Sequence, residues 1–178
     1  VFADDDEAGS TALGHAIAGL SETMSDCTAL FAPGANSYRR LVKGAFAPVH
    51  QSWDVNNRTV ALRIPAGSAE SRRVEHRVAG ADVNPWLLTA AVLAGMHHGM
   101  SNRLTPPARV EGNAYKQDLP GLPETWKEAL DAFSESSFVV DYLGADFCTL
   151  FHRVKQHERR MFDREITPVE YQWYLRRI

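Results

Sequence analysis

The run Arg72-Arg73-Val74-Glu75-His76-Arg77-Val78 constrains the backbone more than any other stretch of this chain. Arg73, Glu75 and Arg77 alternate with Val74, His76 and Val78, the period of an extended strand whose successive side chains point to opposite faces. One face would then carry two guanidiniums and a carboxylate, and the other two valines and a histidine. Residues two apart on a strand stand about 6.6 Å from each other. That is close to the spacing between neighbouring phosphate and carboxylate groups that guanidiniums hold. Pattern alone also fits a solvated strand face, because surface ion pairs signify little.

Two further segments, 49–55 and 59–64, read as short strands. Val60, Leu62 and Ile64 fall on one face of the second, which leaves Ala61 and Arg63 on the other. Asn56-Asn57 lies between the two as a turn, which predicts a hairpin. Around these strands the period becomes helical. Leu13, Ile17, Leu20, Met24 and Leu30 predict one helix from about 10 to 30, with Ser10 or Thr11 as N-cap, stopped by Ala32-Pro33-Gly34. Asn84-Pro85 opens a helix that runs to about Met100 and is apolar nearly all round, hence buried. Residues 105–122 form a Pro- and Gly-rich connection. Helices follow at about 124–134 and 145–166, the second with Phe147, Leu150, Phe151, Val154 and Phe162 as its inner face. Thr167-Pro168-Val169-Glu170 combines a capping box with proline at the first helical position. His97-His98 near the end of its helix reads as a dipole-compatible pair. The basic run 153–164 reads as a solvated helix face with Met161 and Phe162 turned inward.

With 178 residues the chain is one domain with room for a sizeable core. No apolar run reaches the roughly 20 residues of a membrane span, so no membrane partner is expected. Cys27 and Cys148 lie far apart without metal-ligand spacing, which predicts reduced thiols and a cytoplasmic setting. Between Arg39 and Arg77 stand eight basic residues and three acidic ones, within a chain whose net charge is −3. Seven of the eight are arginines, the side chain suited to bidentate recognition of carboxylate and phosphate. A small anionic ligand fits this better than a nucleic acid, which favours a broad basic surface.

Four ordered blocks carry a more specific signal: Asn36-Ser37-Tyr38-Arg39-Arg40-Leu41-Val42, Asn56-Asn57-Arg58-Thr59-Val60-Ala61-Leu62-Arg63-Ile64-Pro65, Arg72-Arg73-Val74-Glu75-His76-Arg77, and Ala81-Asp82-Val83-Asn84-Pro85-Trp86. In order and spacing they resemble the C-terminal catalytic region of the glutamine synthetase family, most of all its γ-glutamylpolyamine (γ-glutamylputrescine) synthetase-like branch. The resemblance implies an α+β fold, in which an antiparallel sheet lines part of an active-site funnel and helices cover it. It implies that 1–178 is the C-terminal part of a catalytic domain whose upstream part and N-terminal domain are absent. It also implies a homo-oligomeric, dodecamer-like ring in the full-length form.

By position in the blocks, Arg40 corresponds to a residue that holds the carboxylate of substrate glutamate. Arg77 corresponds to one acting on the side-chain carboxyl, and Arg58 to one facing the transferring phosphoryl group. Arg58, Arg63 and Arg73 match ATP contacts, and Glu75 matches a ligand of Mg²⁺ or Mn²⁺. The implied reaction is ATP-dependent phosphorylation of the glutamate γ-carboxyl followed by attack of an amine. Guanidiniums suit it because they neutralise crowded oxygens without supplying a nucleophile.

One departure bears on the amine. Ammonia-using members carry a glutamate in a Gly-Tyr-Glu-Ala-Pro loop, where this chain has Gly44-Ala45-Phe46-Ala47-Pro48. A phenyl ring does no acid–base work, but it packs against a methylene chain or an ammonium group. Phe46 therefore points to a polyamine or alkylamine substrate. An ammonia-using enzyme and a non-catalytic ring-forming relative are the alternatives, and the segment alone is expected to be inactive.

Overall fold

A computed structural model of the chain describes residues 1–176. The long N-terminal helix expected from the apolar period divides in two. Helix α1 (Thr11–Glu22) starts where the Ser10 hydroxyl accepts the Leu13 N–H, and α2 (Thr28–Phe31) follows after a turn. The apolar positions of both pieces are buried together, which is why one period runs through the break. Helix α3 (Ala35–Arg40) carries the first sequence block and ends on its two arginines.

Three short strands, β1 (Trp53–Val55), β2 (Leu62–Ile64) and β3 (Glu75–His76), form one sheet in the order β1-β2-β3. The sheet is mixed. β3 runs antiparallel to β2, but β1 runs parallel to it, so the expected hairpin is not formed. The Ser52 carbonyl accepts from both Ala61 and Leu62, and Asn56 N donates to Ile64 O, which holds the two strands at a parallel register. Parallel neighbours usually need a dozen or more connecting residues. Strands three residues long need less, because the chain has only about 10 Å to recross. Asn56, at φ +50°, and the Asn57 side chain, which accepts the Thr59 N–H at 2.9 Å, shape that connection.

Strand β3 is shorter than the predicted 73–79, yet the alternation holds. Val78 is fully buried and Val74 packs on the same core, while Glu75 and Arg77 face the other way. Two side chains of the β2 segment depart from expectation. Val60 joins a small separate cluster with Val110 and Ala114, and Ala61 is as buried as Leu62.

Helix α4 (Pro85–Ser101) is capped by Asn84, whose side chain accepts the N–H groups of Trp86 and Leu87. It is not buried all round. Trp86 is 83% exposed and Leu93 lies open, because the inward face is Ala91, Ala94, Gly95 and Gly99, with Leu87, Leu88, Val92 and Met96 half-buried against the core beside them. Helix α5 (Trp126–Glu135) is followed at once by α6 (Ser137–Leu143), which the apolar period did not announce. Helix α7 (Ala145–Phe162) places Phe147 and Phe151 against the core. Leu150, Val154, Met161 and Phe162, expected inside, are exposed on it. Helix α8 (Pro168–Tyr174) starts with the predicted Thr167–Glu170 capping box. The main core lies where α1, α2, α4, α5 and the inner face of the sheet meet.

Candidate active site

Register places Arg63 directly opposite Glu75 across β2 and β3. The Arg63 Nη1 donates to Glu75 Oε2 at 3.0 Å, and its Nη2 donates to Asn56 Oδ1 at 2.7 Å. The Glu75 side chain stays 37% exposed, so the pair adds little stability and leaves a carboxylate oxygen open. Glu75 fits as a single ligand to a hard divalent cation that takes its other ligands elsewhere. Among the described residues no group of three or more His, Cys, Asp or Glu side chains forms a metal-ligand set.

Arg77 continues the same face and serves as a backbone clamp. Its Nη1 donates to the carbonyls of Arg58 (2.6 Å) and Val60 (2.8 Å), and its Nη2 to that of Phe46 (3.1 Å). Burial lowers its pKa from the usual arginine value, and the cations Arg63 and Arg58 add to that against Tyr115 and Glu75. This electrostatic reach groups Arg58, Arg63, Glu75 and Arg77 in one field.

The Phe46 loop is bent by left-handed residues, with Gly44 at φ +86° and Phe46 itself at φ +57°. A phenylalanine rarely adopts that conformation, so tertiary contacts must hold it. The Arg77 guanidinium supplies one. The other is Tyr115, whose hydroxyl donates to the Ala47 carbonyl at 2.9 Å. The Phe46 ring itself is 73% exposed.

Arg40 closes the other side. Its Nη2 donates to the Val78 carbonyl, next to Arg77, and a Cβ on Gly80 would press on its guanidinium. In the same block, Ser37 donates to Asp82 at 2.5 Å and so ties the α3 segment to the loop before α4.

The structure therefore brings together Arg40, Arg58, Arg63, Glu75 and Arg77 beside the Phe46 loop. Arg58 is exposed, and its side chain makes no hydrogen bond to a described residue. Arg73 is exposed on the rim and bonds only to the Ser71 carbonyl at 3.2 Å. Asn56, Asp82 and Tyr115 position these groups and were not foreseen. Asn56 and Asp82 lie inside the four blocks, but Tyr115 lies in the Pro/Gly-rich connection, where no pattern marks it. Chemically the cluster is an array of cations around one carboxylate, suited to binding and orienting anions. The nearest histidine of the sheet, His76, points to the opposite face, its ring against Phe31.

Residues 1–174 match the family model of the glutamine synthetase catalytic domain. The chain is 43% identical over 176 residues to the gamma-glutamylputrescine synthetase PuuA of Escherichia coli (strain K12), covering 99% of this chain and 37% of that protein. It is 36% identical over 163 residues to the gamma-glutamylethanolamide synthetase GlnA4 of Streptomyces coelicolor, covering 92% of this chain and 34% of the relative. A glutamine synthetase of Thermotoga maritima is 33% identical over 180 residues, with 96% of this chain and 41% of the relative covered. The chain thus spans well under half the length of these relatives.

Proposed function

Because this chain belongs to the glutamine synthetase catalytic-domain family, we propose that it forms part of an ATP-dependent ligase joining the γ-carboxyl of glutamate to an alkylamine or polyamine through a γ-glutamyl phosphate. The observation that carries the choice of amine is Phe46, held at the loop position by Arg77 and Tyr115 with its ring open to the cluster's surroundings. The names of two similar proteins, a γ-glutamylputrescine and a γ-glutamylethanolamide synthetase, support the same class.

In this reading Arg40 binds the glutamate carboxylate and Arg77 orients the reacting γ-carboxyl. Arg58 faces the transferring phosphoryl group and, with Arg63 and Arg73, neutralises the phosphates of ATP. Glu75 would hold a divalent cation, Mg²⁺ or Mn²⁺, which when bound supplies charge neutralisation among the phosphate oxygens. No residue of the cluster is a nucleophile towards glutamate. Orientation and preorganised positive charge are its contribution. An aromatic side chain at the amine entrance favours a substrate with methylenes to cover and an ammonium to stack. The enzyme is assigned to the cytoplasm as a homo-oligomeric ring.

Phosphate release by the full-length protein, compared among putrescine, ethanolamine and ammonium, tests the amine. Faster turnover with an alkylamine or diamine is expected, and turnover with ammonium alone would overturn the reading of Phe46. Phe46→Glu should lower kcat/KM for the preferred amine about tenfold and raise that for ammonium. The isolated 178-residue chain should not catalyse, since among its described residues no three His, Cys, Asp or Glu side chains gather as a metal-ligand set around Glu75. Amine-dependent ATP hydrolysis by it would refute that.

A further inference from the structure

Arg63 stands among cations. Arg77 feels its charge together with that of Arg58, and among the described residues Glu75 is the one carboxylate that pairs with it. The Arg63 side chain is 17% exposed, and its Nε is buried, out of a ligand's reach. That leaves the two Nη groups to meet an anion. Each carries two N–H groups. Nη1 gives one to Glu75 and Nη2 gives one to Asn56 Oδ1, so each keeps another for a ligand.

Asn56 owes its place to the backbone. It follows β1 directly at φ +50°, a left-handed conformation that asparagine tolerates better than most residues. Its N–H donates to the Ile64 carbonyl at 2.8 Å, which lays its side chain beside Arg63, the neighbour of Ile64. Arginine only donates, so the atom that faces it is the amide oxygen.

The two acceptors of Arg63 differ in kind. Glu75 orients the guanidinium by cancelling its charge, whereas the neutral amide of Asn56 orients it and leaves the charge whole. They also differ in how they answer a cation. A divalent ion on Glu75 draws on the same carboxylate and repels the guanidinium bonded to it, so that ion pair weakens when the ion binds. The bond to Asn56 is not contested.

We propose that Asn56 is a positioning residue for nucleotide binding, which keeps the Arg63 guanidinium in place for the phosphates once Glu75 serves the cation. This rests on the reading of the cluster as a site for ATP and a divalent ion. Asn56 itself touches neither. It acts through Arg63, and its contribution is largest when the cation is present.

Binding of a non-hydrolysable ATP analogue to the full-length protein, measured by calorimetry with and without Mg²⁺, tests this. Asn56→Gly is the informative change, because glycine keeps the left-handed backbone and loses the amide. With Mg²⁺ it should weaken binding about tenfold, the effect of losing one hydrogen bond to a charged group. Without Mg²⁺, where Glu75 still holds Arg63, the loss should stay below about twofold. In an Arg63→Met background, Asn56→Gly should add no further loss, since the group it positions is gone. An equal loss in that background would make Asn56 a backbone residue only and overturn the proposal, as would an equal loss with and without Mg²⁺. Unchanged affinity in Asn56→Gly, where Arg63→Met weakens binding, would overturn the proposal alone. Unchanged affinity in Arg63→Met would overturn the nucleotide reading of the cluster and this proposal with it.

Discussion

His76 turns its ring onto Phe31, ring centroids 4.3 Å apart, and neither of its nitrogens finds a partner. Burial lowers its pKa to about 4, from an ordinary value of 6.5. The unfolded chain therefore takes up a proton near pH 6.5 that the folded chain refuses until about pH 4. Stability from this residue is full above 6.5 and is lost as pH falls, by about 3 kcal/mol in the limit. His50, whose pKa is lowered by burial and by Lys43, acts in the same direction. The urea midpoint should drop between pH 7 and pH 5, and His76→Phe should flatten that drop. A pH dependence unchanged by the substitution would assign the acid sensitivity to other groups. Glu75 makes the opposite case. Its ion pair is half open, so Glu75→Gln should change folding stability by less than about 1 kcal/mol. In the full-length enzyme the same change should raise the cation concentration needed for half-maximal phosphate release by at least tenfold. At this scale the alternation of 73–78 told which residues share a face, because period 2 is a backbone property. It did not tell that His76 would be left unpaired, since that depends on Phe31, forty-five positions upstream.

Helices α1 and α4 meet through glycine, backbone on backbone. A Cβ on Gly19 would overlap the Gly95 carbonyl and the Gly99 backbone, and one on Gly99 would overlap the His15 carbonyl. These obstacles are main chain and have no rotamer to yield. Gly19→Ala or Gly99→Ala should therefore cost about 3 kcal/mol in chemical denaturation, the upper end for overpacking. Gly121→Ala, with nothing within 4 Å of its added carbon, should cost little. This contact also explains why α4 exposes Trp86 and Leu93. Its fully buried positions are all small residues, flanked by the half-buried Leu87, Leu88, Val92 and Met96, so little hydrophobic signal marks the face it chooses. Elements set by local chemistry were legible: the Ser10, Asn84 and Thr167 caps and the β3 alternation. The parallel β1–β2 pair was not, because it is fixed by the Ser52 carbonyl receiving two N–H groups nine and ten residues on. In the candidate site the arginines and Glu75 were found through their ordered blocks, while Tyr115 was invisible because its role comes from a contact 68 residues away.

Across the whole molecule, the apolar side chains that α7 and α8 leave open form the feature with the widest reach. Leu150, Val154, Met161, Phe162, Ile166, Trp173, Tyr174 and Leu175 are all exposed there. Apolar surface gathered in this way marks interaction sites or aggregation risk. The purified chain should self-associate with rising concentration, measured by light scattering, and Leu150→Lys with Val154→Glu should reduce that without changing the helical circular dichroism. The same scale shows what the Arg77 clamp entails. One guanidinium holds Phe46, Arg58 and Val60, and so joins the Phe46 loop to the approach of β2. The Nη2 of Arg77 carries two N–H groups and the Phe46 carbonyl takes one, so the second, with that of Nε, stays free for a carboxylate. The loop and an arriving anion can therefore share one guanidinium, and the bonds that hold the loop also fix the plane and direction in which that guanidinium meets a ligand. Tyr115 holds the loop one residue further on, through the Ala47 carbonyl.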